Sequence, residues 1–277
     1  MVSNKILVIL GMHRSGTSLI TRWLHNCGLA IGDALLGPET GNDEGHFEDL
    51  DFIHLHERIL ISKKIPHTGL TFKTPGKLVS TQFAEIKNLI EAKNKKNNQW
   101  AWKDPRTCLF LNSYRKLLPG ATYLIIFRDY QAVVSSLLNR DYKGLQRYYQ
   151  SKGMVYKFFL RMKRKYHKNW LYNRYAEKYL KIWIAYNEEL LKHIEALPSS
   201  QVMVVGYESL LKDDKPFFNR LTMDGFTLQY QNFKSIFNTR LINQPVDISP
   251  FIKNNYLLAK AMQLQTTIQN ILLRQGY

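Results

Sequence analysis

A short apolar run breaks into a glycine-bounded loop and passes at once into helix-like spacing, and this junction constrains the chain more than any other stretch. Residues 5–18 read Lys-Ile-Leu-Val-Ile-Leu-Gly-Met-His-Arg-Ser-Gly-Thr-Ser. The aliphatic run predicts a buried strand. Backbone N–H groups of a loop that turns straight into a helix point at an anion. From Gly11 to Ser18 the loop almost fits the G-x-x-x-x-G-K-[ST] phosphate cradle. Where that pattern needs lysine stands Thr17, and the cation sits earlier, at Arg14. Without the lysine, a nucleoside triphosphate is poorly served. One early arginine with hydroxyls at Ser15, Thr17 and Ser18 suits a smaller or differently placed anion.

A second junction of the same kind spans Ala121 to Leu138. Ala-Thr-Tyr-Leu-Ile-Ile-Phe, bounded by the Pro119-Gly120 turn, reads as a buried strand. It ends in Arg128-Asp129, and Gln-Ala-Val-Val-Ser-Ser-Leu-Leu reads as helix. Arg128 and Ser136 lie eight residues apart across that turn, so a guanidinium and a hydroxyl can face one anion.

These two motifs resemble those of sulfotransferases that use 3′-phosphoadenosine-5′-phosphosulfate (PAPS). Arg-Ser-Gly-Thr-Ser after a first strand is similar to the family's 5′-phosphosulfate loop. Arg128 with Ser136 is similar to its 3′-phosphate motif, although the usual proline two residues after the arginine is Tyr130 here. Trp-Lys-Asp-Pro-Arg-Thr at 102–107 resembles a segment of bacterial members. Val-Met-Val-Val-Gly-Tyr-Glu-Ser-Leu-Leu-Lys-Asp at 202–213 resembles the strand and turn that close the family's core. The resemblance covers roughly residues 5–225.

The expected fold class is α/β, a P-loop-like, mostly parallel sheet flanked by helices with helical additions. Strands are expected near 5–10, 99–103, 121–127 and 202–206. Helices are expected near 17–27, 49–62, 81–93, 107–117, 131–138, 177–196, 214–221 and 253–274. No Pro/Gly/Ser-rich linker divides the chain, so we expect one domain over residues 1–277. It carries a basic aromatic helical insertion at about 143–181 and a helical C-terminal segment at about 250–277. In such sheets ligands bind beyond the carboxyl ends of the strands, where Arg14, Lys103, Arg106 and Arg128 all fall.

The resemblance implies PAPS as donor, 3′,5′-adenosine bisphosphate (PAP) as product, and no metal. Arg14, with Ser15, Gly16, Thr17 and Ser18, is expected at the 5′-phosphate and leaving oxygen, and Arg128 with Ser136 at the 3′-phosphate. Lys103 approaches the sulfuryl group by resemblance; the alternative is an ion pair with Asp104. Arg106 either reaches the 3′-phosphate or braces its loop. The segment 37–49 supplies acids and a histidine, with Glu48 as the first choice for general base and His46 as the second. Glu39 and Glu44 belong to the same segment, and Asp49 reads as a helix N-cap. His54 and His56 have no expected catalytic role. His13 reads as a packing or acceptor-side residue, with contact to the sulfate as the other reading. Tyr207 and Glu208 read as structural, and Arg240 as a further phosphate contact.

The 277 residues carry a formal net charge of +17, which points to anionic partners. The expected acceptor bears a hydroxyl, on a carbohydrate, an acidic glycan or a glycolipid, with a small metabolite or a peptide tyrosine as the open alternatives. Residues 152–181 hold ten Lys/Arg against one acid, Glu177, with interleaved aromatics. They read as a solvated helix face, a flank for an acidic acceptor, or a surface for anionic lipid. No nucleic-acid module is present. Cys27 and Cys108 show neither zinc spacing nor a disulfide framework. The apolar run at 6–10 is too short for a secretory signal, and a cytoplasmic location is expected. Two other readings stay open: a P-loop kinase with a degenerate loop, and a non-enzymatic basic protein that binds polyanions.

Overall fold

The computed structural model describes residues 4–37, 45–151, 164–237 and 244–275. Strands β1 (Lys5–Leu10), β2 (Gln99–Lys103), β3 (Thr122–Ile126) and β4 (Val202–Val205) form one parallel sheet in the order β2-β1-β3-β4. Each lies within a residue of its expected span. Ile6, Val8 and Leu10 face one side with Trp100, Trp102, Tyr123, Ile125 and Val204. Leu7 and Ile9 face the other with Ala101, Leu124, Ile126, Met203 and Val205. Burial on both faces is why these strands read as continuous apolar runs.

The helices are α1 (Thr17–Asn26), α2 (Leu50–Ser62), α3 (Ser80–Lys96), α4 (Leu111–Leu117), α5 (Tyr130–Ser151), α6 (Arg164–Glu195), α7 (Tyr207–Lys212), α8 (Lys215–Met223) and α9 (Asn255–Gln275). Helices α2 to α6 and α9 cover the first face, and α1, α7 and α8 the second. A 3-10 turn, Pro105–Phe110, leads into α4. On the first face Phe52 of α2 stacks on Trp102 of β2, with ring centroids 4.5 Å apart and planes 5° from parallel. Such a pair contributes roughly 0.5–1.5 kcal/mol beyond its buried area, and it sets α2 against the strand that ends in Lys103.

The helix expected at 107–117 begins as the 3-10 turn and is α-helical only from Leu111, α7 is not among the expected helices, and two helices are longer than expected. Helix α5, expected to stop near 138, runs to Ser151, and α6, expected from 177, begins at Arg164. Tertiary pairing overrides local preference here. Tyr172 donates to Asn139 Oδ1 at 2.8 Å, and Tyr179 donates to Asp141, so α6 pins α5 beyond its expected end, just before Gly144. Residues 152–163 of the basic stretch lie outside the described residues. Residues 164–181 are the first half of α6. Leu171, Tyr172, Ala176, Tyr179 and Leu180 are buried there, while Tyr166 and Trp170 stay exposed. Glu177 accepts from the backbone N–H groups of Lys253 and Asn254 at 2.6 and 2.9 Å. That contact ties the approach to α9 onto α6, and Leu257, Ala261 and Ile268 then join the same core.

Lys93 of α3 is 3% exposed and meets Asp49, Asp51 and Asp33 at 2.6, 2.7 and 2.9 Å. Asp49 caps α2 by accepting from the Asp51 N–H at 3.0 Å, so the cluster pins the start of α2. Burial pushes the Asp49 carboxyl up, against the pull of Lys93. Lys93→Met is expected to lower stability by about 2 kcal/mol in denaturant titration. That is less than for a sealed ion pair, because Asp33 and Asp51 remain solvated. No helix among the described residues is long and apolar enough to cross a membrane.

Candidate active site

The connection leaving β1 leads to one side of the sheet, toward β2, and the connection leaving β3 leads to the other, toward β4. A crevice therefore opens at the carboxyl ends of β1 and β3, where such sheets bind ligands. Both anion motifs converge on it. Gly16 is the N-cap of α1 at φ 91°, and no side chain caps that helix. A Cβ at Gly16 would lie 3.2 Å from Tyr207 Cδ1, so the glycine is required by conformation and by space. Arg14 holds φ 69°, a left-handed conformation that costs a non-glycine residue roughly 1–2 kcal/mol. Ser15 and Thr17 are buried, and the Ser15 N–H closes the turn on Met12 O at 3.1 Å.

The two loops are bonded to each other. Arg14 Nε donates to Ser136 Oγ at 2.9 Å, and Arg128 Nη1 donates to the Arg14 carbonyl at 3.0 Å. The Arg128 guanidinium lies 5.3 Å from the centre of the Tyr207 ring. Its Nε is buried and has no hydrogen-bond partner. Trp183 Nε1 of α6 donates to the Arg128 carbonyl at 3.1 Å. Asp129 accepts from the Ala132 N–H at 2.7 Å and so starts α5. Tyr130, standing where the family usually has proline, donates its N–H to Gln265 Oε1 of α9 at 3.1 Å. A proline has no such donor, so the departure from the usual motif docks the C-terminal helix onto the site.

Beside the cradle, Lys103 and Glu48 form a buried pair. Lys103 Nζ donates to Glu48 Oε1 at 2.6 Å and to Ser18 Oγ at 3.2 Å, and the lysine is 1% exposed. Burial pushes the Glu48 carboxyl up, but Lys103 and a hydrogen bond from His46 outweigh it, and its pKa lies below the usual carboxylate value. His46 Nδ1 is 3.8 Å from Glu48 Oε1. Phe47, between them, holds φ 52°, a strained turn of a kind that collects at functional sites. The partner of Lys103 is therefore Glu48, and not Asp104. Asp104 instead meets His56 Nδ1 at 2.7 Å and Arg106 Nη1 at 3.0 Å, while His56 Nε2 meets the Tyr114 hydroxyl at 2.7 Å.

Arg106 is bonded into its surroundings on three sides. Its Nε donates to the His67 carbonyl at 2.7 Å and its Nη2 to Glu57 at 2.9 Å, besides the Asp104 contact. Gly69 faces it: at φ 70°, a Cβ there would lie 2.9 Å from Arg106 Cγ and 3.2 Å from the Tyr186 hydroxyl. Glu39, Glu44 and Arg240 lie outside the described residues. The residues that sequence reasoning missed are Trp183 and Tyr186, which support the site from α6, and Gln265 from α9. Trp183 and Tyr186 recur at helical spacing with Tyr179 and Leu180, a signal of a buried face but not of what it supports.

The arrangement defines a P-loop-like α/β fold whose crevice carries arginines where the loop of an ATPase carries lysine. The sulfotransferase family profile matches residues 7–223, and the chain belongs to that family of sulfuryl-transferring enzymes. No curated protein matches the chain. Among solved structures, sulfotransferase STF9 from Mycobacterium avium is 14% identical with a TM-score of 0.56, covering 96% of this chain and 77% of its own. The sulfotransferase domain of the Synechococcus PCC 7002 olefin synthase is 18% identical with a TM-score of 0.48, covering 96% and 95%. The first of these likenesses shows the fold.

Proposed function

We propose that the protein moves a sulfuryl group from PAPS to a hydroxyl of a carbohydrate or glycolipid acceptor. The observation that carries this reading is the Arg128–Arg14–Ser136 linkage, which joins both anion motifs in one crevice. The residues fit a donor with phosphate at both ends of its ribose. The uncapped start of α1 and Arg14 would hold the 5′ end, and the orphaned Arg128 Nε with Ser136 would hold the 3′-phosphate. When bound, PAPS supplies an activated sulfuryl group carrying a single negative charge. Lys103, poised between Ser18 and Glu48, would balance charge on the leaving side. Glu48 would accept the proton of the attacking hydroxyl. Exposed Trp170 under the Arg174 guanidinium, 5.9 Å from its ring centre, supports an acidic glycan or an anionic lipid surface as the acceptor's setting.

Calorimetric titration tests the donor. PAP is expected to bind saturably and ATP to bind little. ATP bound as tightly as PAP would favour the kinase reading. Binding only to polyanions, weakening steeply with salt, would favour the non-enzymatic one. Incubation with labelled PAPS and a panel of glycan and glycolipid acceptors then tests the transfer.

A further inference from the structure

His13 stands inside the cradle loop, one residue before Arg14, and the roles assigned above leave it unused. Its ring is half-buried. Its Nε2 is sealed from water and has no hydrogen-bond partner. An unpaired buried nitrogen of this kind costs roughly 1–3 kcal/mol, a cost that a ligand atom reaching it would relieve. The ring is not loose. It stands edge-on to Tyr186, with ring centroids 6.3 Å apart, and the Tyr186 hydroxyl is itself fixed by donating to the Gly69 carbonyl at 2.5 Å.

The charges that act on the imidazole are Arg106, Glu48, Asp104 and Arg140, and burial with the Arg106 guanidinium pushes its pKa down to about 3. The ring is thus neutral at working pH. Arg14, assigned to the 5′-phosphate, is its neighbour in the loop, and Glu48, assigned to the acceptor's proton, is near enough to act on its charge. The transferring group is the one that passes between those two roles.

Resting on the PAPS reading, we propose that His13 is a sulfuryl-contacting residue: its Nε2–H donates to an oxygen of the transferring group. A neutral donor holds that oxygen without adding a further cation to a site already supplied with Lys103 and Arg14.

PAP lacks the sulfuryl group, so the ratio of PAPS to PAP affinity isolates this contact from the rest of the cradle. In calorimetric titration without acceptor, His13→Phe is expected to leave PAP affinity unchanged and to weaken PAPS about tenfold or more. His13→Gln, whose amide nitrogen reaches the Nε2 position, is expected to restore most of the loss. His13→Asn, whose amide reaches only the Nδ1 position, is not. An unchanged ratio in His13→Phe overturns the proposal. So does equal weakening of both nucleotides, which would make His13 a prop for the loop's shape. Should the unsubstituted protein bind neither nucleotide, the PAPS reading itself fails, and that result is distinct from either of these. Melting curves of each variant with PAP confirm that the fold compared is the same.

Discussion

Glu48→Gln is expected to reduce turnover by about 10²- to 10⁴-fold, the range spanned by general-base catalysis, while PAP affinity stays close to that of the unsubstituted protein. The amide keeps the shape of the carboxylate and can still accept from Lys103 Nζ, now at 2.6 Å from Oε1. What it loses is the charge. Lys103 is 1% exposed, and a buried cation without its counter-ion is costly. The variant should therefore melt at a lower temperature, and by about the same margin with and without PAP, because equal affinity stabilises both proteins equally. A pH profile adds an independent reading. With the Glu48 pKa held below its ordinary 4.5, the carboxylate is ionised throughout the neutral range. Its contribution to stability, present above about pH 4.5, is lost as pH falls through the lower folded value. The acid limb of kcat/KM should fall in that same low window. A limb centred near 6.5 would instead assign the proton transfer to an imidazole, and full turnover in Glu48→Gln would remove Glu48 from the role.

Arg14→Ala and Arg128→Ala are expected to separate the two ends of the donor. Arg14→Ala removes the contact proposed for the leaving oxygen and should lower kcat/KM by about 10²-fold, or roughly 3 kcal/mol of transition-state stabilisation. Arg128→Ala should weaken PAP by about tenfold to 10²-fold, as expected for a hydrogen bond to a charged group. The discriminating ligand is adenosine 5′-phosphosulfate, which has no 3′-phosphate. Arg128→Ala should hardly change its affinity, whereas Arg14→Ala should weaken it as much as PAPS. Because Arg128 donates to the Arg14 carbonyl at 3.0 Å, the two losses should not add, and the double variant should show coupling. Equal, additive losses for every nucleotide would mean that neither arginine is matched to one end.

The strands were legible because each is buried on both faces and is bounded at one end by a glycine or proline. The two anion motifs were legible because each is local: a strand end, a short loop and the first turns of one helix. The pairing of Lys103 was not legible. Asp104 is its neighbour in sequence, but alternation along the strand and the 3-10 turn beginning at Pro105 send the two side chains to different partners. The lengths of α5 and α6 were hidden for a related reason. Gly144 and the run of basic residues weaken local helix preference, and the hydrogen bonds that compensate, from Tyr172 to Asn139 and Tyr179 to Asp141, join residues more than thirty positions apart. The role of Gln265 could not be foreseen either, because a glutamine in a C-terminal helix carries no local sign of the backbone donor it will meet.

Helix α6 touches both halves of the crevice within one turn: Trp183 holds the Arg128 carbonyl, and Tyr186 borders His13 and bonds to Gly69. At about 1.5 Å per residue, its 32 residues form a beam roughly 48 Å long that extends well beyond these two contacts. A stiff beam anchored this way acts as a yoke. A substitution that displaces the helix is therefore expected to disturb both grips together rather than one alone.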